Sequence, residues 1–169
     1  NVYSRTATWI FKVAPAVFLG AALVSSIFIP LGGLKPPLYF LGDIILFAYL
    51  YGLARFFMII ASLDTGSSFE GMGASREATF SALAEVSLFM NFALLALVSK
   101  KFTLHEILEI NLFSAMGTMA PVLILVVISY FLILLAENAR IPVDDPATHL
   151  ELTMIHEVMV LDHSGWDYA

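Results

Sequence analysis

The sequence predicts an all-α fold, a polytopic bundle of transmembrane helices, on three observations. Of its 169 residues 60% are hydrophobic and 13% are charged, about half the charge that a soluble domain carries. Mean hydropathy is +0.89. The segment Ile110–Ala136 contains no charged residue, and at 1.5 Å per residue it is long enough to span a hydrocarbon core of roughly 30 Å. An excess of acidic over basic residues, 14 against 8, argues against a nucleic-acid partner. The absence of cysteine excludes disulfides, thiolate zinc sites and iron–sulfur ligation by this chain.

Four crossings are expected, within a bundle covering residues 1–137. The first, Val13–Leu34, is free of charge. The second, Ile44–Leu63, is interrupted only by Arg55, and the third, Ala78–Ser99, only by Glu85. The fourth is Ile110–Ala136, with Pro121 as the expected point of a kink. Residues 138–169 then form a polar loop and a short helix, for which Pro146 and Thr148 supply the start signals. Four crossings place the N-terminus, the connection Asp64–Arg76 and everything after Glu137 on one side, and the links around Lys35 and Lys100–Glu109 on the other. Arg5, Lys12, Arg76 and Arg140 on the first side outnumber Lys35, Lys100 and Lys101 on the second, a small excess that points to a cytoplasmic first side. Gly66–Gly73 lacks the lysine and spacing of a phosphate-binding loop and reads as a close-packed turn. With no initiator methionine and no signal-peptide pattern, both ends are expected to be cuts through a longer protein with further helices.

Charges inside such a bundle are costly and mark function by default. Arg55 lies nine residues before Asp64, and Glu85 nine residues after Arg76, so both are expected about 13 Å below one surface. An Arg55–Glu85 ion pair follows, either as a packing device or as a tuned carboxylate on a proton path. Glu77 and Glu85 share a helix face; with Glu137 they can form a relay of carboxylates, although Glu77 also suits a solvated first-turn acid at a helix N-terminus. His149, His156 and His163 recur every seventh residue. Two turns separate each from the next, about 10 Å, too far for one metal ion, so a stripe facing a partner is expected and no metal site.

Three stretches resemble a known family. Ala14-Pro15 is similar to the opening of that family's second helix. Gly73-Ala-Ser-Arg76 followed by Glu85 resembles the loop into its fourth helix. Glu137-Asn-Ala-Arg140 with Pro142 and Asp144 resembles the loop after its fifth. The family is the eight-helix membrane subunit, of the subunit 1 type, shared by respiratory complex I and membrane-bound [NiFe] hydrogenases. Ala147 and His149 stand where the quinone-reducing branch carries glutamates, leaving Glu151, and Phe80 replaces a frequent amide. The run from Arg140 to Glu157 looks like the branch of formate hydrogenlyase subunit 4 and energy-converting hydrogenases.

The resemblance implies a membrane anchor and ion-coupling subunit, with no redox centre of its own, in a bacterial or archaeal cell membrane. Its polar loops would be cytoplasmic. A peripheral hydrogenase-like large subunit would carry the [NiFe] centre, a small subunit the iron–sulfur clusters, and antiporter-like membrane subunits would adjoin it. Glu85 and Glu137 match acids of the family's proton entry path; joined by Glu77 from the charge pattern above, they would carry protons or sodium, with Arg55, Arg76 and Arg140 as pairing or tuning cations. Asp144, Asp145, His149, Glu151, His156, Glu157 and Asp162 would form the junction with the redox subunits. Two alternatives stand beside this: a quinone-reducing complex I subunit, against which the missing glutamates argue, and a stand-alone cation transporter, which leaves the dense polar loop unexplained.

Overall fold

The computed structural model describes residues 7–30, 34–108, 119–138, 141, 143–144 and 155–160, with only the backbone of His156 and Glu157. Among these residues it is all-helical. Four helices are long and apolar enough to cross a membrane: α1 (Trp9–Ser26), α2 (Asp43–Asp64), α3 (Ser68–Ser99) and, after the short α4 (Leu104–Leu108), α5 (Ala120–Glu137). A last turn, α6 (His156–Met159), follows.

Helix α1 starts earlier than Val13. Thr8 is its N-cap, its hydroxyl accepting from the Ile10 amide at 3.3 Å. The apolar residues Trp9, Ile10 and Phe11 belong to the span, and the lone charge at Lys12 disguises this. At the other end Pro30 bars a helical conformation at the residue before it, and α1 stops at Ser26 rather than running to Leu34. Helix α2 begins after Gly42, whose φ of +90° is a left-handed conformation that glycine adopts without a Cβ penalty. Its bounds lie within a residue of those expected. The two helices pack along each other around Phe11, Ala14 and Ala61, with Ala7 and Phe57 alongside. Asp64 at the end of α2 accepts from the Thr8 amide at 2.6 Å and from its hydroxyl, tying the opening of α1 to the close of α2.

The expected connection Asp64–Arg76 is mostly helix. Only Thr65–Ser67 turn the chain, with Gly66 at a φ of +71°, and α3 then runs 32 residues, about 47 Å. Its buried residues are Glu70, Gly73, Ala74, Glu77, Ser81, Ala84 and Asn91. They recur at helical spacing of three and four, so one polar, small-residue stripe faces the bundle. Leu83, Val86, Met90 and Leu97 are exposed, as lipid-facing residues are. Small and hydrogen-bonding side chains inside, large apolar ones outside, is the pattern that packs helices in a solvent as apolar as leucine.

Pro121 lies in the first turn of α5, where a missing N–H costs nothing. The earlier part of the expected fourth span, 110–118, and the helix start near Pro146 lie outside the described residues. On the far side, Asp43 is fully buried and accepts from the Leu104 amide at 2.8 Å. There Glu106 is held below the usual carboxylate range by the Thr103 hydroxyl hydrogen bond and by Lys101. Of the polar segment after Glu137, the described turn α6 packs on α3, with the Ile155 carbonyl 3.0 Å and Met159 Cγ 3.1 Å from where a Cβ on Gly73 would stand.

Candidate functional site

Arg55 is the centre of the site. It projects from α2 between α3 and the end of α5, and its fork is used on both sides. Nε lies 3.1 Å from Glu77 Oε1 on α3. Nη1 donates to Glu137 Oε1 at 2.6 Å while Nη2 meets Glu137 Oε2. The second contact is the bidentate arrangement that a planar guanidinium makes with a carboxylate. Burial is deep on the α3 side: the Glu77 side chain is 6% exposed, Arg55 15% and Glu137 28%.

The expected Arg55–Glu85 ion pair is not formed; among the described residues Arg55 pairs with Glu77 and Glu137. The reason is the early start of α3. Counting nine residues back from Asp64 gives Arg55, and nine forward from Ser68 gives Glu77, so these two are level. Glu85 lies two turns further along α3, and its side chain leans back toward the helix N-terminus as helical side chains do. It reaches α2 at Gly52, where Oε1 is 3.0 Å from the position a Cβ would occupy. Beyond it the seam is filled by the rings of Tyr49 and Phe89, 5.9 Å apart. Two carboxylates therefore share one guanidinium, and a third, Glu85, lies against α2 at Gly52 in the same seam.

Of the other expected residues, Arg76 forms no ion pair among the described residues, and its buried Nη1 lacks a hydrogen-bond partner. Asp144, expected on a partner surface, turns inward: it is 7% exposed and Oδ2 accepts from the Ile155 amide at 2.8 Å. It thereby ties position 144 to the start of α6. Arg140, Asp145, His149, Glu151 and Asp162 lie outside the described residues, as do the side chains of His156 and Glu157.

Some polar groups escape a reading by charge alone. Glu70, 1% exposed, accepts from the Thr65 hydroxyl at the α2–α3 turn; its place seven residues before Glu77 was the available signal. Asn91 Nδ2 donates to Ser129 Oγ at 2.7 Å, joining α3 to α5. Nearby the Tyr130 ring lies 6.0 Å from that of Phe92, tilted at 60°, and its buried hydroxyl has no hydrogen-bond partner among the described residues. We expect Asn91→Leu to lower stability by about 0.6–1.7 kcal/mol, the range of such bonds between membrane helices, measured by unfolding in detergent. An unchanged midpoint would remove this link from the account.

The profile of the NADH dehydrogenase family matches residues 1–169. Hydrogenase-4 component C of Escherichia coli (strain K12) is 35% identical over 156 residues, covering 92% of this chain and 48% of that protein. Formate hydrogenlyase subunit 4 of the same organism is 38% identical over 101 residues, covering 60% of this chain and 33% of that protein. The chain thus spans half or less of the curated relatives it matches. With four apolar helices of spanning length, it is an integral membrane protein, and the match along its whole length means that it belongs to the NADH dehydrogenase family, as a member similar to a hydrogenase component and a formate hydrogenlyase subunit.

Proposed function

We propose that this chain is part of the membrane subunit of a hydrogenase-type, energy-converting complex, and that it couples peripheral electron transfer to ion movement. The observation that carries the reading is the junction at Arg55: one guanidinium bridges carboxylates from α3 and α5, and Glu85 lies deeper in the same α2–α3 seam. Charges of this kind are retained inside a bilayer where they serve an ion path. The end of α3 at Gly73, where Ile155 and Met159 pack, is where peripheral subunits would dock.

Within this reading Glu77, Glu85 and Glu137 carry the ion, a proton or sodium. Arg55 sets how strongly each carboxylate holds its charge. If a redox event moved the returning loop, Glu137 would shift against Arg55, and the ion held among the carboxylates would be released or taken up; a switch of this kind needs only a change in differential contacts between two states. The nickel–iron centre and the iron–sulfur clusters would belong to partner subunits, since no cysteine is available here. The polar side would be cytoplasmic.

The test is purification of the intact membrane assembly, with its subunits identified and nickel and iron quantified. Nickel with abundant iron is the expected result. Iron without nickel would point to the quinone-reducing alternative, and this protein isolated alone without either metal would overturn the reading in favour of a stand-alone transporter.

A further inference from the structure

We propose that Gly52 is a positioning residue for the Glu85 carboxylate, and that its missing side chain is what lets that carboxylate lie in the α2–α3 seam. This rests on the reading of Glu85 as a coupling group. A Cβ at position 52 would stand 3.0 Å from Glu85 Oε1 and 3.7 Å from its carboxyl carbon. The first separation is tighter than ordinary van der Waals contact, so a methyl group here asks the carboxylate to give by a few tenths of an ångström.

Nothing in the backbone asks for glycine at this position. Gly52 lies in the middle of α2, and the left-handed glycines among the described residues are Gly42 and Gly66. Within a helix glycine is less favourable than alanine, so what it contributes here is space. That space has defined walls. One turn toward the site is Arg55, engaged with Glu77. One turn the other way is Tyr49, whose ring meets Phe89. The carboxylate of Glu85 thus sits in a slot bounded by an ion cluster, an aromatic pair and bare helix backbone. With the slot filled, it would be pushed off α2 at this level, changing its position relative to the cluster. Gly20 and Gly71 are different: a Cβ on either would meet nothing within 4 Å.

The test uses the full-length subunit in its membrane complex, reconstituted into vesicles, with Gly52→Ala and Gly52→Val. Gly20→Ala and Gly71→Ala serve as controls. Two quantities are read: the infrared band of the Glu85 carboxyl group, assigned as the band lost in Glu85→Gln, and the ions moved per turnover. We expect Gly52→Ala to shift the band and reduce transport several-fold, and Gly52→Val to reduce it about 100-fold, as a misplacement on the order of 1 Å does for a reacting group. Peripheral electron transfer assayed with methyl viologen should be unchanged, and both controls should match the parent. A merely structural role predicts the reverse for alanine, which strengthens a helix. A band unmoved in Gly52→Ala would overturn the proposal, and this variant decides the matter even where valine prevents assembly. If Glu85→Gln itself leaves transport intact, the coupling role fails, while the band position still decides whether Gly52 places the carboxylate.

Discussion

Arg55→Leu is expected to destabilise the assembly by about 3–5 kcal/mol, the cost of leaving buried charges without their counterion. Glu77, with its side chain 6% exposed, has little water to turn to. Glu137, at 28%, can recover part of its solvation, which places the effect toward the lower end. The signature of the mechanism is its reversal: adding Glu77→Gln to Arg55→Leu removes one of the charges that Arg55 paired and should regain part of the loss. Arg55→Lys should fall between parent and leucine, because an ammonium keeps the charge but cannot offer the fork that binds Glu137 bidentately while Nε serves Glu77. Thermal unfolding of the detergent-solubilised complex measures all three. A parental midpoint for Arg55→Leu would mean that the cluster contributes nothing to holding α2, α3 and α5 together.

The second large effect is expected at Gly73. A side chain there would meet the Ile155 carbonyl at 3.0 Å, Met159 Cγ at 3.1 Å and Val158 Cβ at 3.6 Å. The nearest of these atoms is backbone, so the obstacle cannot be removed by a rotamer change and the α6 turn must retreat as a body. Overpacking of this kind costs about 1–3 kcal/mol. Gly73→Val should therefore loosen residues 155–160 from α3 while leaving the four long helices intact. Hydrogen exchange reads this directly. The Ile155 amide, bonded to Asp144 Oδ2 at 2.8 Å, and the Met159 amide, bonded to the Ile155 carbonyl at 3.3 Å, should lose protection. Asp144→Ala should give the same loss from the other partner, and Gly71→Ala, in open space, should give none. Retained protection in Gly73→Val would contradict the docking of α6 on α3.

The membrane architecture was legible because composition and uninterrupted apolar runs answer to the bilayer alone. Helix α2 was legible nearly to the residue, since Gly42 and Asp64 bound a run broken only by Arg55. Helix α3 was not. Between Asp64 and Ala78 the chain offers charges and glycines, the usual marks of a loop, yet Glu70 and Glu77 are buried and Gly73 serves close packing. A polar stripe inside an apolar helix inverts the rule by which charge is taken for solvent contact. That single misplacement of the helix start assigned Arg55 to Glu85 in place of Glu77. The inward turn of Asp144 was hidden for another reason: a hydrogen bond to the Ile155 amide depends on how the loop returns, which local pattern does not encode. The same holds for the Asn91–Ser129 link between α3 and α5.

The most direct test of coupling through these carboxylates is ion uptake by vesicles containing the complete complex, driven by its own electron transfer, in Glu85→Gln and Glu137→Gln variants. Proton and sodium movement are followed separately, with subunit content and methyl-viologen activity checked in the same preparations. The account predicts assembled, electron-transferring complexes in which ion uptake collapses in both variants. Ion uptake at the parental rate in both would show that these carboxylates hold the helices together and carry nothing across.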